Sequence, residues 1–388
     1  MDLRQLNQLS DDELRALIDA AGQNSVSIIM PVQQEPDKWD ENRIRLKNLL
    51  QAAEEELGQL DLRRPDVEQL LAPAGDLVEE GRFVATGGPG LAVFLRKGFS
   101  RAYQLPYAPE QVMSVSSQFY IKPLMPLRLD ERFYVLALSQ QEIRLLHATE
   151  YTVERVDLRD VPQSLNKALR WDDPERELQW HTQTGGQGNG RDAMFHGHGV
   201  GAKETHKKDL LRYFQLLDQH LSKVLASEKA PLVLAGVDYL LPIYREANTY
   251  GHLFKQGIEG SQEQLSDAEI QRRAWELVRP YFQKGREAAE SLYHQQANKS
   301  LASADLATVL PASYQGRVDT LFVALDEQRW GRYKPEAGQV ELHTQQQPGD
   351  VDLLNLATIH VVLNSGDVYA GQRDELPDAE PLASILRF

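Results

Sequence analysis

Cysteine is absent from all 388 residues. That absence removes disulfides, thiolate nucleophiles, cysteine-based zinc sites and iron–sulfur clusters together, and it is compatible with a reducing compartment. No segment approaches the ~18 uninterrupted apolar residues that a membrane span needs. Met1-Asp2-Leu3-Arg4 has no basic stretch leading into an apolar run, so a cytoplasmic protein without membrane contact is expected. Positive charge is also in short supply: 42 Lys and Arg stand against 57 Asp and Glu, a formal charge of −15. Phosphate contacts need local positive potential, so this balance points away from nonspecific nucleic-acid binding and confines any RNA contact to patches. The run Gly197-His198-Gly199-Val200-Gly201-Ala202-Lys203 lacks the adjacent Gly-Lys-Ser/Thr of a nucleotide P-loop, and no nucleotide or other cofactor is indicated.

What remains is a chain long enough for two or three domains, each with its own core. Residues 3–20 have helical spacing, with Ser10-Asp11-Asp12-Glu13 as N-cap and acidic first turn. Residues 25–32 read as a buried strand. Apolar residues at Ile44, Leu46, Leu49, Leu50, Ala53 and Leu57 predict a helix over 40–60. Strands follow at 90–95 and 100–105. The charged segment Arg128-Leu129-Asp130-Glu131-Arg132 breaks the pattern, which restarts with strands at 133–139, 143–148 and 151–158. A glycine-rich loop over 184–201 precedes a helix expected at 207–226 and the apolar strand 231–237. Residues 236–246 read as a helix–strand junction with Arg245 and Glu246 as surface charges. A long helix at 267–296 ends in Gln295-Gln296-Ala297-Asn298-Lys299-Ser300. Beyond it come a helix at 303–314, strands at 318–325, 340–342 and 368–370, and a helix at 352–363. The fold class is α/β in three consecutive domains: 1–130, 131–300 with the long glycine-rich loop before a helix, and 301–388. Trp171, Trp180, Trp275 and Trp330 are read as packing anchors.

Two basic patches stand out, Arg43, Arg45 and Lys47 within one helix, and Arg191, Lys203, Lys207, Lys208 and Arg212 around the glycine loop and the helix after it. Each fits either phosphate contact or a solvated helix face. Within the loop, Thr184-Gly185-Gly186-Gln187 leads to Phe195-His196-Gly197-His198-Gly199. Adjacent glycines open backbone torsions closed to other residues, so a main-chain N–H can be aimed at a developing oxyanion without any side-chain nucleophile. His196 and His198, with His181 or His206, allow a metal-dependent hydrolase as an unrelated reading, because imidazoles two apart can face one ion on extended backbone. No carboxylate stands at a recognisable ligand spacing, and no metal is expected.

The order of these segments resembles the archaeal and eukaryotic class I release factors and Pelota, and most closely the bacterial release-factor-like family that includes the hibernation factor Balon. The resemblance spans essentially the whole chain. Ser25-Val26-Ser27-Ile28-Ile29-Met30-Pro31 with the following helix, and Gly90-Leu91-Ala92-Val93-Phe94 with Phe119-Tyr120-Ile121-Lys122-Pro123-Leu124, look like the family's N-terminal domain. The strands from 133, the glycine loop and Leu232-Val233-Leu234-Ala235-Gly236 look like its middle domain, and the closing Leu382-Ala383-Ser384-Ile385-Leu386-Arg387-Phe388 looks like the end of its C-terminal domain. The stop-codon-reading Asn-Ile-Lys-Ser tetrapeptide of release factors does not occur; Ala297-Asn298-Lys299-Ser300 is the nearest string and lies after the middle domain. Gln187 is followed by Gly188-Asn189-Gly190, whereas in release factors the Gly-Gly-Gln that serves peptidyl-tRNA hydrolysis leads almost directly into its helix.

The resemblance implies a monomeric, codon-independent factor in the ribosomal A site, acting in hibernation or rescue. It also implies a translational GTPase such as elongation factor Tu as recruiting partner. Arg191, His196, His198, Lys203, Lys207 and Lys208, with Arg43, Arg45 and Lys47, would then contact ribosomal RNA, the glycine loop lying near the peptidyl-transferase centre. A second reading adds catalysis: Gly185, Gly186 and Gln187 position a water against the peptidyl ester, which makes the chain a peptidyl-tRNA hydrolase.

Overall fold

The computed structural model describes residues 1, 3–60, 62–81, 83, 88–129, 131–139, 142–158, 200–226, 228–297, 299–347 and 349–388, with backbone alone at 200–206. The chain forms two compact units: Met1–Asp130 together with Lys284–Phe388, and Glu131–Gln283.

In the first segment, strand β1 (Leu3–Gln5) precedes helix α1 (Asp11–Ala20), strand β2 (Ser25–Pro31), helices α2 (Trp39–Gln59) and α3 (Arg64–Glu80), and strands β3 (Gly90–Arg96), β4 (Phe99–Leu105) and β5 (Val112–Ser116). Ser10 caps α1 by accepting from the Glu13 amide at 3.2 Å, which contributes about 1 kcal/mol. Residues 3–5, expected to open that helix, instead pair in parallel with β4, Leu3 opposite Ala102. Three residues are too few for a periodicity to declare itself, and the β4 edge supplies the partner. The strands stand in the order β1-β4-β3-β2-β5. Period-two alternation divides their side chains between two cores. Val26, Ile28, Met30, Leu91, Val93 and Leu95 face a cluster shared with Leu46, Ala53, Leu70 and Leu77 of α2 and α3. Ile29, Ala92 and Phe94 join a different cluster, described below.

The middle unit opens with an antiparallel meander of β6 (Phe133–Leu138), β7 (Ile143–Ala148) and β8 (Val153–Val156). Helix α4 (Val200–Val224) leads to β9 (Leu232–Gly236), which pairs in parallel with β6, and α5 (Leu240–Ala247) leads to β10 (Leu253–Glu259), parallel to β9. Helix α6 (Asp267–Ala297) follows. The sheet order is β10-β9-β6-β7-β8. One face, with Leu136, Leu145, Leu232 and Leu234, packs on Leu217 of α4 and Leu241 of α5. The other, with Phe133, Val135, Val233 and Ala235, packs on Ile270, Trp275 and Val278 of α6. Trp275 stacks between Phe133 and Phe282, with centroids 6.1 and 5.8 Å away, so this tryptophan is a packing anchor.

The C-terminal segment adds β11 (Ala302–Ser303), α7 (Leu306–Tyr314), β12 (Val318–Ala324), β13 (Trp330–Lys334), β14 (Gln339–Leu342), β15 (Val351–Asp352), α8 (Leu353–Leu363), β16 (Asp367–Gly371) and β17 (Leu382–Leu386). They make a four-stranded sheet, β11-β17-β12-β16, and a small one, β14-β13-β15. Gly331 is required at the centre of the small sheet, because a Cβ there would overlap the Glu341 carbonyl. Leu321 and Val323 of β12, with Val309 and Leu310 of α7 and Ala357 and Ile359 of α8, belong to the same cluster as Leu14, Phe94, Phe119 and Leu124 from the first segment. The two ends of the chain therefore share one core.

Among the described residues no helix is long and apolar enough to cross a membrane. The fold is mixed α/β throughout, as expected from the sequence.

Candidate nucleic-acid interface

The glycine-rich segment lies in the sequence between β8 and α4. Gly185, Gly186, Gln187, Arg191, His196 and His198 lie outside the described residues, as do Trp171, Trp180 and His181, and the side chains of Lys203 and His206 fall there too. What is described is the platform on either side of that segment.

Helix α4 is fixed by one apolar face. Leu210, Tyr213, Phe214, Leu217 and Leu221 are all buried, Tyr213 stacks on Phe214 at 5.6 Å, and Phe214 meets the Tyr244 ring of α5 edge-on at 5.5 Å. Asp218, also buried, accepts from the Thr249 amide at 3.1 Å and the Thr249 hydroxyl at 2.6 Å, which ties the turn after α5 to the middle of α4. Burial with Asp218 nearby pushes the Tyr244 phenol far up, so this ring stays neutral inside the core. With so firm an inner face, the outer face of α4 is presented in a fixed orientation. Lys208, Arg212, Gln215, Gln219 and Lys223 are exposed there, at helical positions i, i+4, i+7, i+11 and i+15. At 1.5 Å per residue this stripe of five positions runs about 22 Å, each position with a basic or amide side chain. Lys207 stands beside it and pairs with Glu246 at 3.5 Å, both side chains more than half exposed. Such a surface pair contributes little and is open to exchange for another anion.

The other expected patch is divided. Arg43 donates to the Val78 carbonyl at 2.9 Å and Arg45 to the Pro31 carbonyl at 3.0 Å, so these guanidinium groups stitch α2 to the end of α3 and to the end of β2. Lys47 is exposed on the wall of the groove between α2 and α3. Residues 236–246 run from the end of β9 at Gly236 through a short turn into α5, a junction between strand and helix as the sequence suggested. Within α5 Arg245 donates to the Phe254 carbonyl at 3.1 Å, and Tyr244 is buried in the core. Among the described residues no group of three His, Asp or Glu is placed to hold a metal ion.

A feature that sequence reasoning missed lies where the chain departs for the glycine segment. Arg144 of β7 and Arg155 of β8 converge on Asp267 at the start of α6, at 2.7 and 2.5 Å. Arg144 also donates to the Gln262 and Leu265 carbonyls, which fixes the α6 entry loop. Burial alone would raise the Asp267 carboxyl, but the bonds from Arg155 and Arg144 outweigh it and hold the group below the ordinary carboxylate range. A depressed folded value means that the stabilisation is complete above the unfolded value of about 3.9 and is lost as pH falls through the folded one. Thermal melts of the wild type and Asp267→Asn should therefore differ most near neutrality and converge below about pH 4. A gap that stays constant to lower pH would show that the ion pairs contribute nothing there.

Residues 133–280 match the model of bacterial archaeo-eukaryotic release factor family 7. The match covers nearly all of the middle unit, and the relation to the bacterial release-factor-like proteins expected from the sequence is shown there. No curated protein matches the chain. Among solved structures, the chain is similar to an archaeal translation termination factor at 15% identity, covering 98% of this chain and 99% of that one with a TM-score of 0.25. It is similar to archaeal Pelota in a model of the ribosome-bound protein at 13% identity, over 99% and 96%, with a TM-score of 0.38. Pelota of Archaeoglobus fulgidus is similar at 12% identity over 99% and 94%, with a TM-score of 0.30.

Proposed function

We propose that the chain is a ribosome-binding translation factor of the release-factor and Pelota type that enters the A site without reading a codon, in hibernation or rescue. The family match over 133–280 carries this reading. It is supported by a sequence without the decoding tetrapeptide and by the exposed stripe of basic and amide side chains on α4, which fits phosphate contact. In this reading the glycine segment, with Arg191, His196 and His198, approaches ribosomal RNA near the peptidyl-transferase centre, and Lys203, Lys207 and Lys208 contact phosphates at its base. The factor acts as a monomer in the cytoplasm, and a translational GTPase such as elongation factor Tu is the proposed escort.

One observation favours a second reading, peptidyl-tRNA hydrolysis: the tripeptide Gly185-Gly186-Gln187 itself. Co-sedimentation with vacant 70S ribosomes tests the first reading. The protein should pellet without a stop codon and dissociate as salt rises, and a protein left wholly in the supernatant at low salt would end the proposal. The same ribosomes carrying P-site peptidyl-tRNA separate the two readings. No peptide release is expected; release that vanishes in Gly186→Ala while pelleting persists would establish the hydrolase instead.

A further inference from the structure

The apolar cluster shared by the two chain ends contains a group of polar residues with no access to solvent. Lys122 is fully buried, its Nζ lies 3.3 Å from Oδ2 of Asp352, which is equally enclosed, and it donates to the Glu327 carbonyl. The ammonium also lies 5.5 Å from the centre of the Tyr120 ring. Asp352 is the N-cap of α8, with Oδ1 accepting from the Leu354 amide at 3.2 Å and from the Arg329 amide at 2.9 Å. One turn further along α8, the buried Asn355 closes a second set of bonds. Its Oδ1 accepts from the Ile121 and Lys122 amides at 2.8 and 3.0 Å, and its Nδ2 donates to the Phe119 carbonyl at 2.9 Å. Three main-chain groups of the first segment are thus satisfied by one side chain more than 230 residues away in sequence. Below them Arg128 reaches the Gly366 carbonyl at 3.2 Å.

Lys122 and the peptide groups of Phe119, Ile121 and Lys122 find these partners across the two segments, whereas Asp352 keeps the Leu354 and Arg329 amides of its own segment and would lose only the ammonium. Were the two segments to part, a lysine, a carboxylate, an amide side chain and three peptide groups would all need water at once. We propose that residues 119–122 and 352–355 form a latch that makes segments 1–130 and 284–388 one cooperative body, which can open only as a whole. The latch involves no residue of the α4 face and is independent of any ribosome contact.

Hydrogen exchange of the full chain tests this through a substitution remote from the latch. Met30 lies on the face of β2 packed against α2 and α3, in the other cluster. In one cooperative body, Met30→Ala should accelerate exchange in Ser25–Pro31 and in Val318–Ala324 by the same factor, about 100-fold, with Leu232–Gly236 unchanged. Should that variant fail to fold, Ile28→Val in the same cluster should give a common factor of about 2–10. Acceleration confined to Ser25–Pro31 would overturn the proposal. Adding Asn355→Ala should make the two factors unequal, and equal factors in that background would overturn the assignment of the coupling to these residues.

Discussion

Lys122→Ala should cost about 3–5 kcal/mol of stability in the unit built from the chain ends, because it leaves the enclosed Asp352 carboxylate without its counter-charge. Burial pushes the Lys122 ammonium toward neutrality while Asp352 pulls it back, so the pair exists only as long as each partner answers the other. The substitution also frees the Glu327 carbonyl and opens a void beside the Tyr120 ring. Lys122→Met combined with Asp352→Asn fills the same volume without charge and keeps an oxygen for the Leu354 and Arg329 amides. That double variant should recover most of the loss, since a buried ion pair replaced by packed neutral groups is often neutral or stabilising. Denaturant unfolding followed at Trp39 and Trp330 reads both. A Lys122→Ala protein within about 1 kcal/mol of wild type would show that water reaches the pair and that it is not truly enclosed.

The second large effect concerns α4. Reversing Lys208, Arg212 and Lys223 to Glu should weaken ribosome binding about 100-fold, at roughly 1 kcal/mol per lost phosphate contact. The slope of log affinity against log salt should fall by about one per lost contact. All three side chains are exposed and none packs in the core behind α4, so the fold should hold. An unchanged affinity would remove this face from the interface and leave the glycine segment to carry any RNA contact. Lys207→Ala alone should matter less, because its Glu246 pair must first be given up.

Much of this fold is written in local pattern. Residues 25–31 carry Val26, Ile28, Ile29 and Met30, 232–236 are an unbroken apolar run, and both are interior strands. The long helix over 267–297 shows in its spacing. Elements that escaped notice carry residues that argue against them. Helix α3 contains Pro73 and Gly75, α5 contains Pro242, and β10 is an edge strand whose register shifts between Leu253 and Gly257. Their partners, not their propensities, decide them. The candidate site divides in the same way. Lys207 and Lys208 are exposed as a basic helical surface suggests, but Arg43 and Arg45 are occupied by carbonyls of neighbouring elements that no spacing within α2 could reveal. The Arg144–Asp267–Arg155 cluster joins residues more than 100 positions apart, and Lys122 gives no sign of burial beyond the apolar residues around it.

The same long separation bears on how the protein is made. Asn355 follows Ile121 by 234 residues. At roughly 5–20 residues per second, a ribosome needs about 10–50 s to deliver it. Over that interval the nascent Phe119-Tyr120-Ile121-Lys122 stretch has emerged, apolar and with its amides unanswered, while the middle unit has everything it needs to fold. The middle unit should therefore be complete first, and the body formed by the chain ends should be the last to assemble. A chaperone engaging the growing chain would find those four residues among the uncovered ones.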